Sequence, residues 1–422
     1  MVLVEPLRRA TRPPVEGVGA APVPFPPQQV AEGERGRDLG GGVVLLVAEV
    51  ELLAEELALA RIRRPLLVTD RALAKLPVAV GIADGLRKAG LDVAVFDGIW
   101  GNPTVSQANA GGEAFRAHRA DCVVGLGGGA ALDVAKIVGV IGTAGGSALE
   151  YAWDHPKVRA IPDAIPWFVA LPTTAGTGSE VGRSSVVSED DTHVKRIVFS
   201  PKILAKQVFA DPELTLGLPP AVTAATGMDA LTHNVESYLS PAYHPLCDGI
   251  ALEGARIAAR ALPTAVRDGS NLSARGEMLM ASMMGAIAFQ KDLGAVHSCA
   301  HALSTVADLH HGLANGVMID HVMGFNLPSA VAKMAELARV CGAPGGASGS
   351  EESRAASFVA WLRELKRTVG LPAKLSGLTG GRAVTRADLP RLVEVAYADL
   401  CHQTNPRKCT KADFEALFAS AL

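Results

Sequence analysis

Cysteine, aromatic residues and uncharged apolar runs are all scarce in this chain, and each scarcity excludes something. Six cysteines (Cys122, Cys247, Cys299, Cys341, Cys401 and Cys409) are scattered through 422 residues without a CxxC pair. They are too sparse for a disulfide framework, so reduced thiols in a cytoplasmic protein are expected. Trp and Tyr number four each, and formal net charge is −3. No Lys/Arg cluster is interleaved with aromatics, so no nucleic-acid partner is expected. The apolar run from Val43 to Ala60 carries Glu49, Glu51, Glu55 and Glu56. Those carboxylates would be costly in lipid, so no membrane span is expected. Arg8 and Arg9 are followed by prolines rather than an apolar segment, which argues against a secretory signal.

What is present is enough apolar residue, 49% of the chain, for two domains with substantial cores. Residues 1–40 hold seven prolines, which forbid a regular helix or central strand; a disordered tail is expected there. Residues 41–60 look helical by composition. From Arg61 onward, strand-like runs alternate with helix-like ones. RRPLLVTD (63–70), LDVAVFDG (91–98), DCVVGLGGG (121–129) and PWFVALPTTAGTGSE (166–180) read as strands. Helical patterns near residues 80–89, 107–117 and 131–141 separate them. This alternation predicts an α/β domain over 41–211 with a parallel, Rossmann-like sheet. DPELTLGLPP (211–220) reads as a linker, and Ala/Leu/Met-rich helical stretches then run to Leu422. Residues 212–422 are expected to form an all-α domain.

GLGGGAALDVAK (125–136) fits G-x-G-x-x-A directly after a strand and at the opening of a helix. Backbone N–H groups exposed by those glycines could hold pyrophosphate against the positive end of the helix dipole. A tight strand-to-helix turn would use the same residues with no ligand. The match also follows roughly the third strand, where a standard dinucleotide unit has it after the first. Asp70, at an earlier strand end, could accept hydrogen bonds from an adenosine ribose, and its charge would favour NAD over NADP; equally, it could cap the next helix. PTTAGTGSE (172–180) adds hydroxyls and glycines at a second strand end.

MDALTHNVES (228–237) places Asp229 and His233 four residues apart. On a helix they would share a face, as jaws of a metal site or as a capping acid and a buried histidine. Five of the eleven histidines, His297, His301, His310, His311 and His321, fall within residues 296–321. His297 and His301 form another i, i+4 pair. One Asp and three His around a divalent cation is a catalytic arrangement that suits Fe(II) or Zn(II).

These stretches resemble the iron-dependent (group III) alcohol dehydrogenases. GGGAALDVAK, PTTAGTGSEV, ATGMDALTHNVESY, HSCAHALSTVADLHHGLANGVM and HQTNPRKCTKADFEALF carry the likeness, which runs from about Arg61 to the C-terminus. The resemblance implies a dehydroquinate synthase-like architecture with its site between the two domains. It implies Asp229, His233, His297 and His311 as ligands of Fe2+ or Zn2+, with His301 beside the nicotinamide of NAD. Gly128, Gly129 and Asp133 match its pyrophosphate loop, Thr173, Thr174 and Thr177 its Thr loop, Lys195 a cofactor-side lysine and Asp70 the ribose position. A homodimer or larger homo-oligomer is implied too. Three departures stand out. Ala130 replaces a usual Ser. His310 replaces a frequent Pro and could add a proton acceptor beside His301 or perturb the loop bearing His311. Residues 1–60 do not resemble the family's start.

The expected activity is reversible NAD(P)-dependent, metal-assisted oxidation of a small alcohol to an aldehyde or ketone. A zinc glycerol dehydrogenase or another dehydroquinate synthase-like enzyme is the nearest alternative. The complete Asp/His/His/His set argues against a metal-free maleylacetate reductase. A non-catalytic metal- or nucleotide-binding relative is the alternative outside enzymes.

Overall fold

The computed structural model describes residues 3–5, 43–45, 50–378 and 381–422. The remainder of the expected tail lies outside them. The described residues form nine strands: β1 (Leu3–Glu5), β2 (Val43–Leu45), β3 (Pro65–Asp70), β4 (Ala94–Ile99), β5 (Cys122–Gly127), β6 (Trp167–Pro172), β7 (Ser184–Ser188), β8 (Lys195–Phe199) and β9 (Gln207–Phe209). Seven form one parallel sheet in the order β1-β2-β9-β6-β5-β3-β4, while β7 and β8 pair antiparallel. Helices α1 (Val50–Leu59), α2 (Pro77–Lys88), α3 (Val105–His118) and α4 (Gly129–Ala144) cover the sheet.

Strand alternation decides which helix packs where. Leu66, Val68, Val123, Phe168 and Ala170 join the core with α3 and α4, and Leu67, Val124, Val169 and Leu171 join the core with α1 and α2. Apolar residues on both faces are the mark of a parallel sheet covered on both sides. The chain leaves β3 for β4 on one flank and returns to β5 on the other. The carboxyl ends of β3 and β5 therefore flank a topological switch point, where open α/β sheets bind ligands.

Two expectations need correction. Residues 41–60 are not one helix: Val43–Leu45 is a strand, and the helix begins at Val50. Within the expected tail, Leu3–Glu5 forms a strand beside Val43–Leu45. Four sheet strands were legible in sequence and seven are present, because β1, β2 and β9 have three residues each, too short for a period of two to show.

Beyond β9 every regular element among the described residues is helical, the α-helices being α5 (Pro220–Leu239), α6 (Pro245–Arg267), α7 (Leu272–Ala288), α8 (Ala295–Ala307), α9 (His311–Asn326), α10 (Val331–Val340), α11 (Glu351–Thr368), α12 (Leu389–Ala398) and α13 (Lys411–Ala421). Pro220 opens α5 at a position where its missing N–H costs nothing. From Thr223 on, nearly every α5 residue is buried, Asp229 and His233 included. A helix buried all round is the centre of its domain, so polar residues on it must find partners inside.

Candidate active site

At the switch point, the turn from β5 into α4 passes through Gly127 at φ 148° and caps the helix with Gly128. The first N–H groups of α4 have no partner within the helix and point their dipole toward the crevice. The loop after β6 packs against this turn. Thr173 N–H donates to Gly127 O at 3.0 Å. A Cβ on Gly129 would stand 2.7 Å from Thr177 Cγ2, and one on Gly128 would stand 3.1 Å from Thr174 Oγ1. The expected Gly128, Gly129, Thr173, Thr174 and Thr177 thus lie together as one cradle, in which a side chain at position 129 would displace Thr177 and one at 128 would crowd Thr174. Asp70 Oδ1 accepts from the N–H groups of Ala72 and Leu73, both at 2.9 Å. Half of its carboxylate is therefore a cap, and Oδ2 lies 3.8 Å from where a Cβ on Gly127 would be.

Asp133 has a different task from the expected one. Its carboxylate accepts from Ser179 Oγ at 2.6 Å and Val186 N–H at 3.1 Å, and Lys136 Nζ lies 3.5 Å away. Its oxygens are committed to protein donors, so it braces the Thr loop rather than reaching a ligand. Next to it, Glu180 is buried with Oε1 unpaired. Burial pushes its carboxyl up to about 7, against the pull of its own N–H and of Lys136. Because the folded value lies above the unfolded one, the stability it permits is full below about pH 4.5 and is lost as pH rises to about 7. Glu180→Gln should therefore raise the melting temperature above pH 7 and leave it unchanged near pH 4.5. Calorimetry across that range checks this.

The four-donor cluster lies on the helical side. Asp229 and His233 share a face of α5, His297 comes from the first turn of α8, and His311 opens α9. Asp229 Oδ1 lies 3.5 Å from His311 Nε2 and 3.8 Å from His297 Nε2, and ligand-type atoms of Asp229, His233 and His297 fall within 4.8 Å of one another. Two bonds fix the tautomers. His297 Nδ1–H donates to Glu236 Oε2 at 2.6 Å, and His233 Nδ1–H donates to Gly176 O at 3.3 Å. Each ring then presents its Nε2 lone pair. Burial lowers His233 to about 4 against the pull of Asp229, and burial with Lys195 holds His311 well below the usual value. Electron-rich atoms of Asp229, His233 and His297 thus face one another, with His311 Nε2 at the edge of the group beside Asp229 Oδ1; Asn315 Nδ2 donates to Asp229 Oδ1 at 2.6 Å and lies 3.2 and 3.4 Å from the Nε2 atoms of His311 and His297. Lone pairs converging in a buried site are a binding site for a cation, and the three-nitrogen, one-oxygen set suits Fe(II) or Zn(II).

The rest of the expected set divides. His301 Nδ1–H donates to Asp399 Oδ2 at 2.8 Å, and its ring stacks on His311 at 5.2 Å. Burial lowers its pKa while Asp399 opposes that shift, and with Nδ1–H on Asp399 its Nε2 is the nitrogen left to accept a proton. Lys195 opens β8, and its ammonium has no hydrogen bond or ion pair among the described residues. Burial lowers its ammonium, against the pull of Asp399 and Asp229 across the cleft. His310 is exposed, and its Nδ1 accepts the Leu313 N–H. That cap on α9, rather than proton transfer, is the task the structure gives it. His321 bonds Ser420 at 2.9 Å, away from the cluster.

Sequence reasoning missed Glu236, Asn315 and Asp399. Glu236 lies one turn beyond His233 on α5. Its two oxygens also accept the Val296 N–H at 2.7 Å and the His297 N–H at 3.3 Å, so one buried carboxylate caps α8 and aims its histidine. The spacing from His233 was the signal available. Glu236→Gln should weaken metal binding by about 10- to 100-fold, the usual cost of removing a carboxylate behind a ligating histidine. Cation titration of metal-stripped protein checks this. The C-terminal Asn405 serves the same helix: its Oδ1 accepts the Ala295 N–H at 3.2 Å, and it exchanges amide bonds with Asn326 on α9 at 2.9 and 2.6 Å.

The likeness to other proteins covers both halves. Residues 44–212 match the family described as Iron-containing alcohol dehydrogenase, and residues 223–422 match Fe-containing alcohol dehydrogenase family, C-terminal. The chain is 37% identical over 393 residues to a 4-hydroxybutyrate dehydrogenase of Cupriavidus necator, covering 90% of this chain and 96% of that protein. It is 33% identical over 364 residues to an NAD-dependent methanol dehydrogenase of Bacillus methanolicus, covering 85% and 92%. The crystal structure of a 1,3-propanediol oxidoreductase superposes with a TM-score of 0.83 at 36% identity, covering 88% of this chain and 96% of that one. The architecture they share is dehydroquinate synthase-like.

Proposed function

Since this chain belongs to the iron-containing alcohol dehydrogenase family, we propose that its glycine and threonine loops and its four-donor cluster form one active centre. The enzyme is a reversible NAD(P)-dependent oxidoreductase acting on CH–OH groups, with Fe2+ and NAD as cofactors. One observation carries the assignment of the centre: the loop that packs on the glycines also fixes the cluster, through Gly176 O on His233 Nδ1.

Asp229, His233, His297 and His311 would hold the cation, Fe2+ or Zn2+. When bound, the cation would supply Lewis acidity toward the substrate oxygen, and the nicotinamide would supply a hydride acceptor. The chain's own residues do the rest. N–H groups of Gly129 and its neighbours hold the pyrophosphate. Asp70 holds the adenosine ribose and disfavours a 2′-phosphate by charge, hence NAD over NADP. Glu236 and Gly176 hold the ligand rings in place. His301 Nε2 takes the hydroxyl proton, and Asp399 steadies the ring and the charge it gains. Phe289, 5.3 Å from the His233 ring, excludes water beside the cluster.

The substrate reading is a short alcohol with a second polar group at its far end, a diol or a hydroxy acid. The names of two relatives support it, one a 4-hydroxybutyrate dehydrogenase and one a 1,3-propanediol oxidoreductase. Lys195 supports it too, as a half-buried cation across from Asp229 that could meet such a group. A charge-assisted contact of about 2 kcal/mol corresponds to about 30-fold in kcat/KM. Assays on 1,3-propanediol, 4-hydroxybutyrate, 1-propanol and 1-butanol should show that preference; equal values for matched chain lengths would sink the substrate reading. The six free cysteines suit a reducing compartment, so we place the enzyme in the cytoplasm. We infer a homodimer or larger homo-oligomer; Tyr243 and Leu246, 92% and 76% exposed at the start of α6, would be part of its contact. No described helix is long and apolar enough to cross a membrane.

A further inference from the structure

A second set of ligand-type atoms lies beside the four-donor cluster. His301, Asp399 and Cys401 each offer one, all within 4.8 Å of one another. All three are half-buried, on the cleft side of α8 and in the segment after α12. Asp399 is held in place independently of His301, because its Oδ1 accepts from Ser298 Oγ at 2.8 Å and from the Cys401 N–H at 2.9 Å. Cys401 has no part in the alcohol chemistry above. It is also the one cysteine of six that is not buried.

We propose that His301, Asp399 and Cys401 form a second site for a thiophilic divalent cation such as Zn2+ or Co2+, and that filling it inhibits the enzyme. The donors are nitrogen, oxygen and sulfur, the mixture that first-row cations of this softness prefer. The catalytic cluster has no sulfur. The step balances. Cys401 Sγ–H loses its proton to solvent and forms the sulfur–metal bond. The His301 proton moves from Nδ1 to Nε2, which leaves the Nδ1 lone pair for the cation. Asp399 Oδ2, released from that hydrogen bond, takes the cation in the proton's place. One proton is released per cation, and thiolate plus carboxylate neutralise the two positive charges. A neutral cluster is the form a half-buried site can hold at least desolvation cost.

Inhibition follows from the same step. With Nδ1 on a cation and Nε2 protonated, His301 cannot accept the proton of the alcohol. The rings of His301 and His311 are 5.2 Å apart, so the second cation would also stand next to the catalytic one. The simpler role for these residues is a hydrogen-bonded brace in which Asp399 orients His301 and accepts from the Cys401 thiol.

Sulfur separates the two roles. Metal-stripped full-length protein is titrated with Co2+, following bound cobalt and near-ultraviolet absorption. A second equivalent should bind, and it alone should carry a thiolate-to-cobalt charge-transfer band. Cys401→Ser should keep the first equivalent, which shows the fold intact, and lose both the second equivalent and the band. Zn2+ added to iron-loaded enzyme should slow NADH formation, and Cys401→Ser should need more than about tenfold more Zn2+ for the same inhibition. A single equivalent without the band, or a band that persists in Cys401→Ser, would overturn the second site. Neither outcome touches the first equivalent, on which the dehydrogenase reading depends.

Discussion

Replacing His311 by alanine should lower NADH formation by about a thousandfold while leaving the chelator-treated protein as stable as wild type. The two halves of that result come from different facts. His311 sits at the first position of α9 with its side chain 23% exposed, and its Nδ1 has no partner in the described structure. Removing the ring therefore costs little packing. What is lost is one of four donors facing Asp229. A cation site with three donors in this cleft should release its metal, and the Lewis acid accounts for about 4 kcal/mol of the barrier. Steady-state assays with and without excess Fe2+, alongside thermal unfolding in chelator, check both halves. Activity above a tenth of wild type would remove His311 from the ligand set.

The second large effect comes from a residue with no side chain. A Cβ on Gly312 would lie 2.5 Å from Ala225 O, 3.0 Å from Ala225 C and 3.2 Å from Asp229 Cβ. The first two are backbone of α5, which cannot give way as a side chain would. Gly312→Ala should push the first turn of α9 off α5 and carry His311 away from Asp229. Overpacking of this kind costs about 1–3 kcal/mol, and metal affinity should fall by at least about tenfold as the donor moves. Gly324, on the same helix, has nothing within 4 Å of its Cβ position. Gly324→Ala should instead stabilise by about 1 kcal/mol through helix propensity. Unfolding and cobalt titration of the two variants side by side make the comparison. Equal metal affinity in Gly312→Ala and wild type would mean that the α5–α9 approach does not set the site.

Legibility in the sequence followed the strength of the local signal. Asp229 with His233, and His297 with His301, announced themselves because a helix repeats every 3.6 residues and the residue types are rare. The β5–α4 turn was legible because its glycines follow an apolar run. Glu236, Asn315 and Asp399 were not, since an acid or amide in a helical stretch looks like solvent-facing surface until the fold buries it. His310 misled for the opposite reason. Its place beside His311 suggested chemistry, but an N-cap position turns the ring to solvent and engages Nδ1 with the Leu313 N–H. Asp133 misled because a motif position says nothing of which way a carboxylate turns, and Ser179 and Val186 claim it. The β7–β8 pair escaped because Ser184, Ser185, Lys195 and Arg196 make its strands polar, without the apolar alternation that marks a strand with one face in a core.

The central claim is that the Asp229/His233/His297/His311 cluster holds the cation on which turnover depends. The most direct measurement is NADH formation from 1,3-propanediol by protein stripped with a chelator, then supplied with Fe2+ or Zn2+, with NADH binding followed in the same samples. The account predicts stripped protein that still binds NADH through the β5–α4 cradle, forms none from the alcohol, and recovers with one of the two metals. Full turnover by the stripped protein, or none with either metal while NADH still binds, would contradict it.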